Sequence, residues 1–252
     1  MKNIIEIQNL KYIINKSVLI NNINMEIEKG DFVTLIGPNG AGKSTLLELI
    51  TNMTIKTSGE IKIDDKNIEK YKRKELAKLM SYVPQITIID YSFTVENVVL
   101  MGRIPYLNIF EQYSNSDYEL TKKAMQMSNV YELKDRNINT LSGGELQRVL
   151  IARAINQQSE IIILDEPINN LDIKQQIEIM EILKQLNKSG ITVICVLHDI
   201  NVAYKYASKV VLINKGEIKQ QGEKNTVITT ENIKEIFGVN PKIIENKYMI
   251  FV

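Results

Sequence analysis

Gly37-Pro38-Asn39-Gly40-Ala41-Gly42-Lys43-Ser44-Thr45 decides how the rest of the chain is read. It fits the spacing G-x-x-x-x-G-K-[ST], with Gly37, Gly42, Lys43 and Ser44 in the fixed places. The run before it, Phe32-Val33-Thr34-Leu35-Ile36, is mostly apolar and reads as a buried strand. The run after it, Lys43 to Met53, has helical spacing. Strand, glycine loop and helix in that order form the context this pattern requires. The loop turns backbone N–H groups toward a phosphate, and the helix start adds the positive end of its dipole. Lys43 can reach the β- and γ-phosphates as a point charge, and the Ser44 hydroxyl can ligate Mg²⁺.

Working outward, Ile4 to Ile7 and the alternating Ile23-Asn24-Met25-Glu26-Ile27 read as strands at the start of the chain. Ser58 to Ile63 predicts a turn and strand, Lys72 to Met80 a helix, and Ser81 to Gln85 a strand ending in a loop. From Thr94 to Asn156 helical periodicity dominates. Buried-strand patterns return at Glu160 to Leu164 and Ile191 to Leu197, separated by the helix Ile173 to Leu186 and the turn Ser189-Gly190. Val210 to Ile213 reads as a further strand before the turn Lys215-Gly216-Glu217. The expectation is one α/β domain over residues 1–252, with a mostly parallel sheet and a helical subdomain at roughly 86–155 inserted in its core.

Composition excludes several classes. The 31 basic and 30 acidic residues leave a net charge of +1, so no one-sided field argues for nucleic acid or an anionic membrane. The lone cysteine, Cys195, sits in an apolar strand and reads as a small core residue, which fits a reducing compartment. No secretory signal and no apolar run of the ~18–20 residues needed to span a bilayer is seen, so any membrane part is expected from another polypeptide.

Asp165 ends the run Ile161-Ile162-Ile163-Leu164, at the carboxyl end of a buried strand, where ligands sit in open α/β sheets. Its carboxylate suits Mg²⁺, and the adjacent Glu166 suits a group that orients or deprotonates an attacking water. A solvated acidic turn is the plainer reading of the same pair. Ser142-Gly143-Gly144-Glu145 reads as a capped helix start, with Ser142 and Glu145 in capping-box spacing. It also reads as an anion site made of the hydroxyl, glycine N–H groups and the helix dipole. His198, the sole histidine, ends an apolar strand and could face a γ-phosphate or serve as a hydrogen-bonded core-edge residue. Gln85 also ends a strand, where its amide could sense Mg²⁺ or water. Tyr12 could pack or stack on adenine.

Together these motifs resemble the ATP-binding subunit of the ABC transporter family, over essentially the whole chain. GPNGAGKST resembles the Walker A loop, Gln85 the Q-loop and Leu141-Ser142-Gly143-Gly144-Glu145 the signature. Ile161 to Pro167 resembles Walker B, Asn170-Leu171-Asp172 the D-loop and His198 the switch histidine, in the family's order. Asn169 stands where serine or threonine is commoner. Gly102-Arg103-Ile104-Pro105-Tyr106 and His198-Asp199-Ile200-Asn201-Val202-Ala203 are similar to segments of importers for iron–siderophore, haem and cobalamin. Gly222, Ile233 and Phe237-Gly238-Val239 also look like the C-terminus of that subgroup.

The resemblance implies a P-loop ATPase core with an N-terminal antiparallel β subdomain and an inserted α-helical subdomain. It implies ATP and Mg²⁺ held by Tyr12, residues 37–45, Gln85, Asp165 and Ser142 to Gly144, with Glu166, His198 and Gln85 catalytic. It also implies a head-to-tail homodimer on the cytoplasmic face of the membrane, two separate permease subunits and, indirectly, a substrate-binding protein. In that dimer the signature of one copy meets the γ-phosphate on the other copy's Lys43. Import rather than export, and a metal-chelate cargo, follow from the resemblance alone. A soluble ABC ATPase unconnected to transport usually carries two cassettes, coiled coils or basic extensions, and none is seen here. A non-catalytic ATP-binding module conflicts with the intact Asp165, Glu166 and His198 set, and a P-loop kinase would need an acceptor site or lid.

Overall fold

The computed structural model of the chain describes residues 2–85, 93–244 and 248–251. The start of the expected helical subdomain, residues 86–92, lies outside the described residues. In chain order the elements are β1 (Asn3–Ile14), β2 (Ser17–Glu28), β3 (Phe32–Ile36), α1 (Lys43–Ile50), β4 (Ser58–Ile63) and β5 (Lys66–Asn67). Next come α2 (Arg73–Leu79), β6 (Met80–Val83), α3 (Val95–Leu100), α4 (Asn115–Met127), α5 (Gly143–Asn156), β7 (Ile161–Leu164) and α6 (Ile173–Lys188). The last are β8 (Thr192–Val196), α7 (Ile200–Tyr206), β9 (Lys209–Asn214), β10 (Glu217–Glu223), α8 (Lys224–Val227), α9 (Thr230–Phe237), β11 (Pro241–Ile244) and β12 (Tyr248–Phe251). Contacts divide the chain into two compact units, Met1–Tyr71 with Thr192–Val252, and Lys72–Ile191.

The first unit holds an antiparallel sheet in the order β2-β1-β4-β5. The two-residue turns Asn15-Lys16 and Asp64-Asp65 have positive φ at both positions (48° and 66°, 47° and 63°), the geometry whose twist suits a right-twisted hairpin. β1 and β2 each run 12 residues, well beyond the stretches the sequence pattern marks. Register shifts along their pairing, including one between Ile7 and Leu10, break the period-two signal. A second set of strands, β10-β9-β3-β8, places β3 parallel to both β8 and β9. Every residue of β3 and of β8 is buried, which explains their mostly apolar runs.

α1 stops at Ile50, three residues short of the predicted Met53. The Thr51 hydroxyl donates to the Leu47 carbonyl at 2.9 Å, and Asn52 turns left-handed (φ 56°), which ends the helix.

The second unit pairs β6 and β7 in parallel and carries the helices α2 to α6. Val95, Val98 and Val99 of α3, Ala124 and Met125 of α4, and Val149 and Ala152 of α5 close one apolar core with Val130 and Ile138. Each large aliphatic side chain so buried contributes roughly 1.5–3 kcal/mol. The segment Met101–Tyr106 is a 3-10 helix threaded through polar contacts. Arg103 Nε donates to Asp117 Oδ1 at 2.9 Å, and its Nη1 to the Asn156 carbonyl and Gln158 Oε1 at 2.9 and 3.0 Å. The Tyr106 hydroxyl donates to the Gln157 carbonyl at 2.9 Å, and the Arg103 guanidinium lies 4.0 Å from the Tyr106 ring centre. Asn156 Nδ2 in turn donates to the Val99 carbonyl (2.9 Å) and Thr121 Oγ1 (2.8 Å).

Candidate nucleotide-binding and hydrolysis site

In the first unit the glycine loop leaves the carboxyl end of β3. A Cβ on Gly37 would stand 2.0 Å from the Ile213 carbonyl oxygen, so β9's backbone dictates glycine there. Gly42, at φ 99°, caps α1 with no side chain, which leaves the helix start to backbone N–H groups alone. Lys43 is buried, and its ammonium donates to the Gly37 and Pro38 carbonyls at 2.8 and 2.9 Å. Ser44 and Thr45 are half-buried, and Asn39 and Gly40 are exposed at the loop tip. This donor set of one ammonium, two hydroxyls and a side-chain-free helix start fits a polyphosphate.

The same unit holds Tyr12, on β1 of the antiparallel sheet, and His198, just past the end of β8. Tyr12 pairs with Ile20, and the carbonyl of the preceding Leu19 lies 2.9 Å from where a Gly42 Cβ would be. β8 runs parallel to β3, and Leu197 N donates to the Leu35 carbonyl at 3.2 Å. His198 follows, exposed, at the strand ends from which the glycine loop also departs. Asp199 accepts from Asn201 N (2.7 Å) and Val202 N (3.2 Å), so it caps α7 and fixes the chain just past His198.

In the second unit Asp165 is buried at the end of β7, with its N–H donating to the Val83 carbonyl at 2.9 Å. The next residue, Glu166, has φ 51°, unusual for a long side chain. β6 ends at Val83, before Pro84, so Gln85 lies two residues past the strand rather than at its end. Its Nε2 nevertheless reaches Glu166 Oε2 at 2.6 Å, and Asn169 Nδ2 donates to the same oxygen at 2.8 Å. Gln85 and Glu166 are 81 residues apart in sequence, so no local pattern could pair them.

The Ser142 turn is a complete capping box. Ser142 N and Oγ donate to Glu145 Oε2 at 2.7 and 2.8 Å, and Glu145 N donates back to Oγ at 3.4 Å. The Ser142 N–H, then its hydroxyl, hold the Glu145 carboxyl below the usual glutamate value against the opposing effect of burial. The Gln175 side chain covers Gly144, and Leu171 lies near Gly143. Neither the donation from Asn169 to Glu166 nor the cover of Gln175 over Gly144 belongs to a motif visible in the sequence. An amide three residues past a strand-ending carboxylate was the available signal for the first.

The sequence model of the ABC transporter family matches residues 20–169, a span that runs from β2 to just past Glu166. The chain belongs to the ABC transporter family. Among its ABC relatives, the ferric enterobactin transport ATP-binding protein FepC of Escherichia coli is 37% identical over 92% of this chain and 86% of that protein. The petrobactin import ATP-binding protein YclP of Bacillus subtilis is also 37% identical, over 93% of each.

A solved inward-facing structure of a putative metal-chelate type ABC transporter superposes with a TM-score of 0.86 at 29% identity. It covers all of this chain and 97% of that one. A dimeric ATP-binding cassette bound to ADP and Pi superposes at 0.76 with 31% identity, covering 87% of this chain and 98% of that one. The chain is thus an ABC ATP-binding domain, the part of such transporters that hydrolyses ATP to drive transport. Among the described residues no helix is long and apolar enough to cross a membrane. Nor, among them, is any group of three or more His, Cys, Asp and Glu side chains placed to hold a metal ion. Mg²⁺ carried on phosphates with one or two protein oxygens needs no such cage.

Proposed function

We propose that this chain is the ATP-hydrolysing subunit of an importer of ferric siderophores. In this reading it works as a head-to-tail homodimer on the cytoplasmic face of the membrane, beneath two separate permease subunits fed by a substrate-binding protein. The ferric enterobactin transport of FepC and the petrobactin import of YclP support the cargo class. The observation that carries the hydrolytic role is the Glu166 carboxylate, fixed beyond a buried strand by the Gln85 amide at 2.6 Å.

Lys43 and the backbone of residues 37–45 hold the β- and γ-phosphates, and Tyr12 stacks on the base. Ser44, Asp165 and Gln85 are the residues that would offer Mg²⁺ the hard oxygens it prefers; when bound, the ion would neutralise phosphate charge. Glu166 orients the attacking water and takes its proton, and His198 faces the γ-phosphate. Ser142, Gly143 and Gly144 of one copy meet the γ-phosphate bound to the other copy. Nucleotide drives closure only as far as it binds the closed pair better than the open one.

Uptake of labelled ferric siderophore, haem and cobalamin, compared between iron-starved cells carrying the native chain and cells carrying Glu166→Gln, tests this reading. Loss of ferric siderophore uptake alone is expected. Equal uptake of all three cargoes in both strains would remove the metal-chelate assignment.

A further inference from the structure

We infer that Asn169 is a positioning residue for hydrolysis, one that fixes the Glu166 carboxylate in the plane it needs. The inference rests on the reading of Glu166 as the group that orients the attacking water.

Asn169 grips Glu166 at both ends. Its backbone N–H donates to the Glu166 carbonyl at 3.2 Å, closing a turn, and its side-chain Nδ2 donates to Glu166 Oε2 at 2.8 Å. The turn matters because Glu166 sits at φ 51°, a strained conformation for a non-glycine residue that persists only where neighbours enforce it. The side-chain bond matters because the last torsion of a glutamate is broad and roughly two-fold. Two amide donors on one oxygen, Gln85 at 2.6 Å and Asn169 at 2.8 Å, narrow that torsion to one setting.

The choice of asparagine at 169 has no backbone explanation. Asn170 adopts the left-handed conformation asparagine tolerates (φ 57°), and Asn169 does not. Asn169 is also exposed, so it fills no core space. What its amide does is donate to Glu166. Two residues on from Asn170, Asp172 accepts from Gln175 N at 2.9 Å and starts α6, so the turn is tied down on its far side as well.

The test is steady-state phosphate release by the full chain with Mg²⁺-ATP, for Asn169→Ala, Asn169→Ser and Asn169→Asp beside Glu166→Gln. Asn169→Ala is expected to lower kcat roughly 10-fold, the usual cost of losing an outer-shell partner, with KM for ATP within about twofold. Asn169→Ser keeps a donor and should recover to within about threefold of native. Asn169→Asp keeps the size but replaces the donor with a second carboxylate, and should be at least as slow as alanine. Thermal midpoints of the three should match the native chain, since the site is exposed. An inactive Glu166→Gln together with native kcat in Asn169→Ala and Asn169→Asp would overturn this inference alone. Native turnover in Glu166→Gln would overturn the reading of Glu166 and this inference with it.

Discussion

Arg103 Nε lies 2.9 Å from Asp117 Oδ1, an ion pair whose side chains are only 7% and 11% exposed. It ties the 3-10 segment after α3 to the first turn of α4, where Asp117 also closes the capping box of Ser114. Removing one charge of a buried pair leaves the other uncompensated, at a cost of about 3–5 kcal/mol. Arg103→Met should therefore lower unfolding free energy by that amount in urea titrations. Arg103→Met with Asp117→Asn should cost clearly less than the two single changes added together.

Acid should weaken the same contact. The Asp117 carboxyl is held below its ordinary 3.8, first by the Ser114 hydroxyl and, with burial opposing, by Arg103. A carboxyl with a depressed folded-state pKa stabilises fully above its unfolded value and loses that contribution as pH falls toward the folded one. Stability measured below about pH 4 should fall less steeply in Asp117→Asn than in the native chain. Parallel acid limbs would show that Asp117 is not held as described.

Three glycines should respond differently to alanine. At Gly37 and Gly102 a Cβ would stand 2.0 Å from the Ile213 carbonyl oxygen and 2.4 Å from the Arg153 carbonyl oxygen, backbone atoms that cannot swing aside. At Gly144 the obstacle, 2.3 Å away, is the mobile end of Gln175. Gly37→Ala and Gly102→Ala should each cost more than about 2 kcal/mol. Gly144→Ala should stay within about 1 kcal/mol, since alanine favours the helix it joins. Chemical denaturation of the three variants gives the ranking.

Lys43→Ala should weaken binding of ATP at least ~10-fold in a calorimetric titration, the scale of one lost charge-assisted hydrogen bond. The change also deletes the bonds to the Gly37 and Pro38 carbonyls. Native affinity would contradict the assignment of the loop to phosphate.

Burial pushes the Cys195 thiol up to about 12, with Thr34 Oγ1 at 3.7 Å acting weakly the other way. The thiolate is the reactive form. Iodoacetamide at mildly alkaline pH should leave the folded chain unmodified and label it rapidly in denaturant. Fast labelling of the folded chain would mean that the strand opens.

The glycine loop was fully legible because its residues are contiguous and its strand and helix signals are local. Ser142 and Glu145 were legible as a capping box for the same reason. The partners of Glu166 were not, since Gln85 reaches it across 81 residues and the Asn169 side chain gave no periodic signal. β1 ran longer than its pattern because register shifts hide the alternation, and α1 ran shorter because a Thr51 hydroxyl bond and a left-handed Asn52 outweigh helical spacing. The antiparallel pair of β11 and β12 has only four residues per strand and left no sign in the pattern.

Asn156, whose amide binds the Val99 carbonyl and Thr121 Oγ1 while its own carbonyl accepts from Arg103, gives the α3–α4–α5 bundle an unusual mechanical character. Interdigitated apolar side chains already resist sliding, and buried directional bonds add a fixed register to that packing. The bundle is therefore pinned where the carboxyl ends of α3 and α5 meet the middle of α4. Sliding α5 past α3 or α4 would break a buried hydrogen bond of Asn156, so these three helices favour moving as one piece over shearing apart.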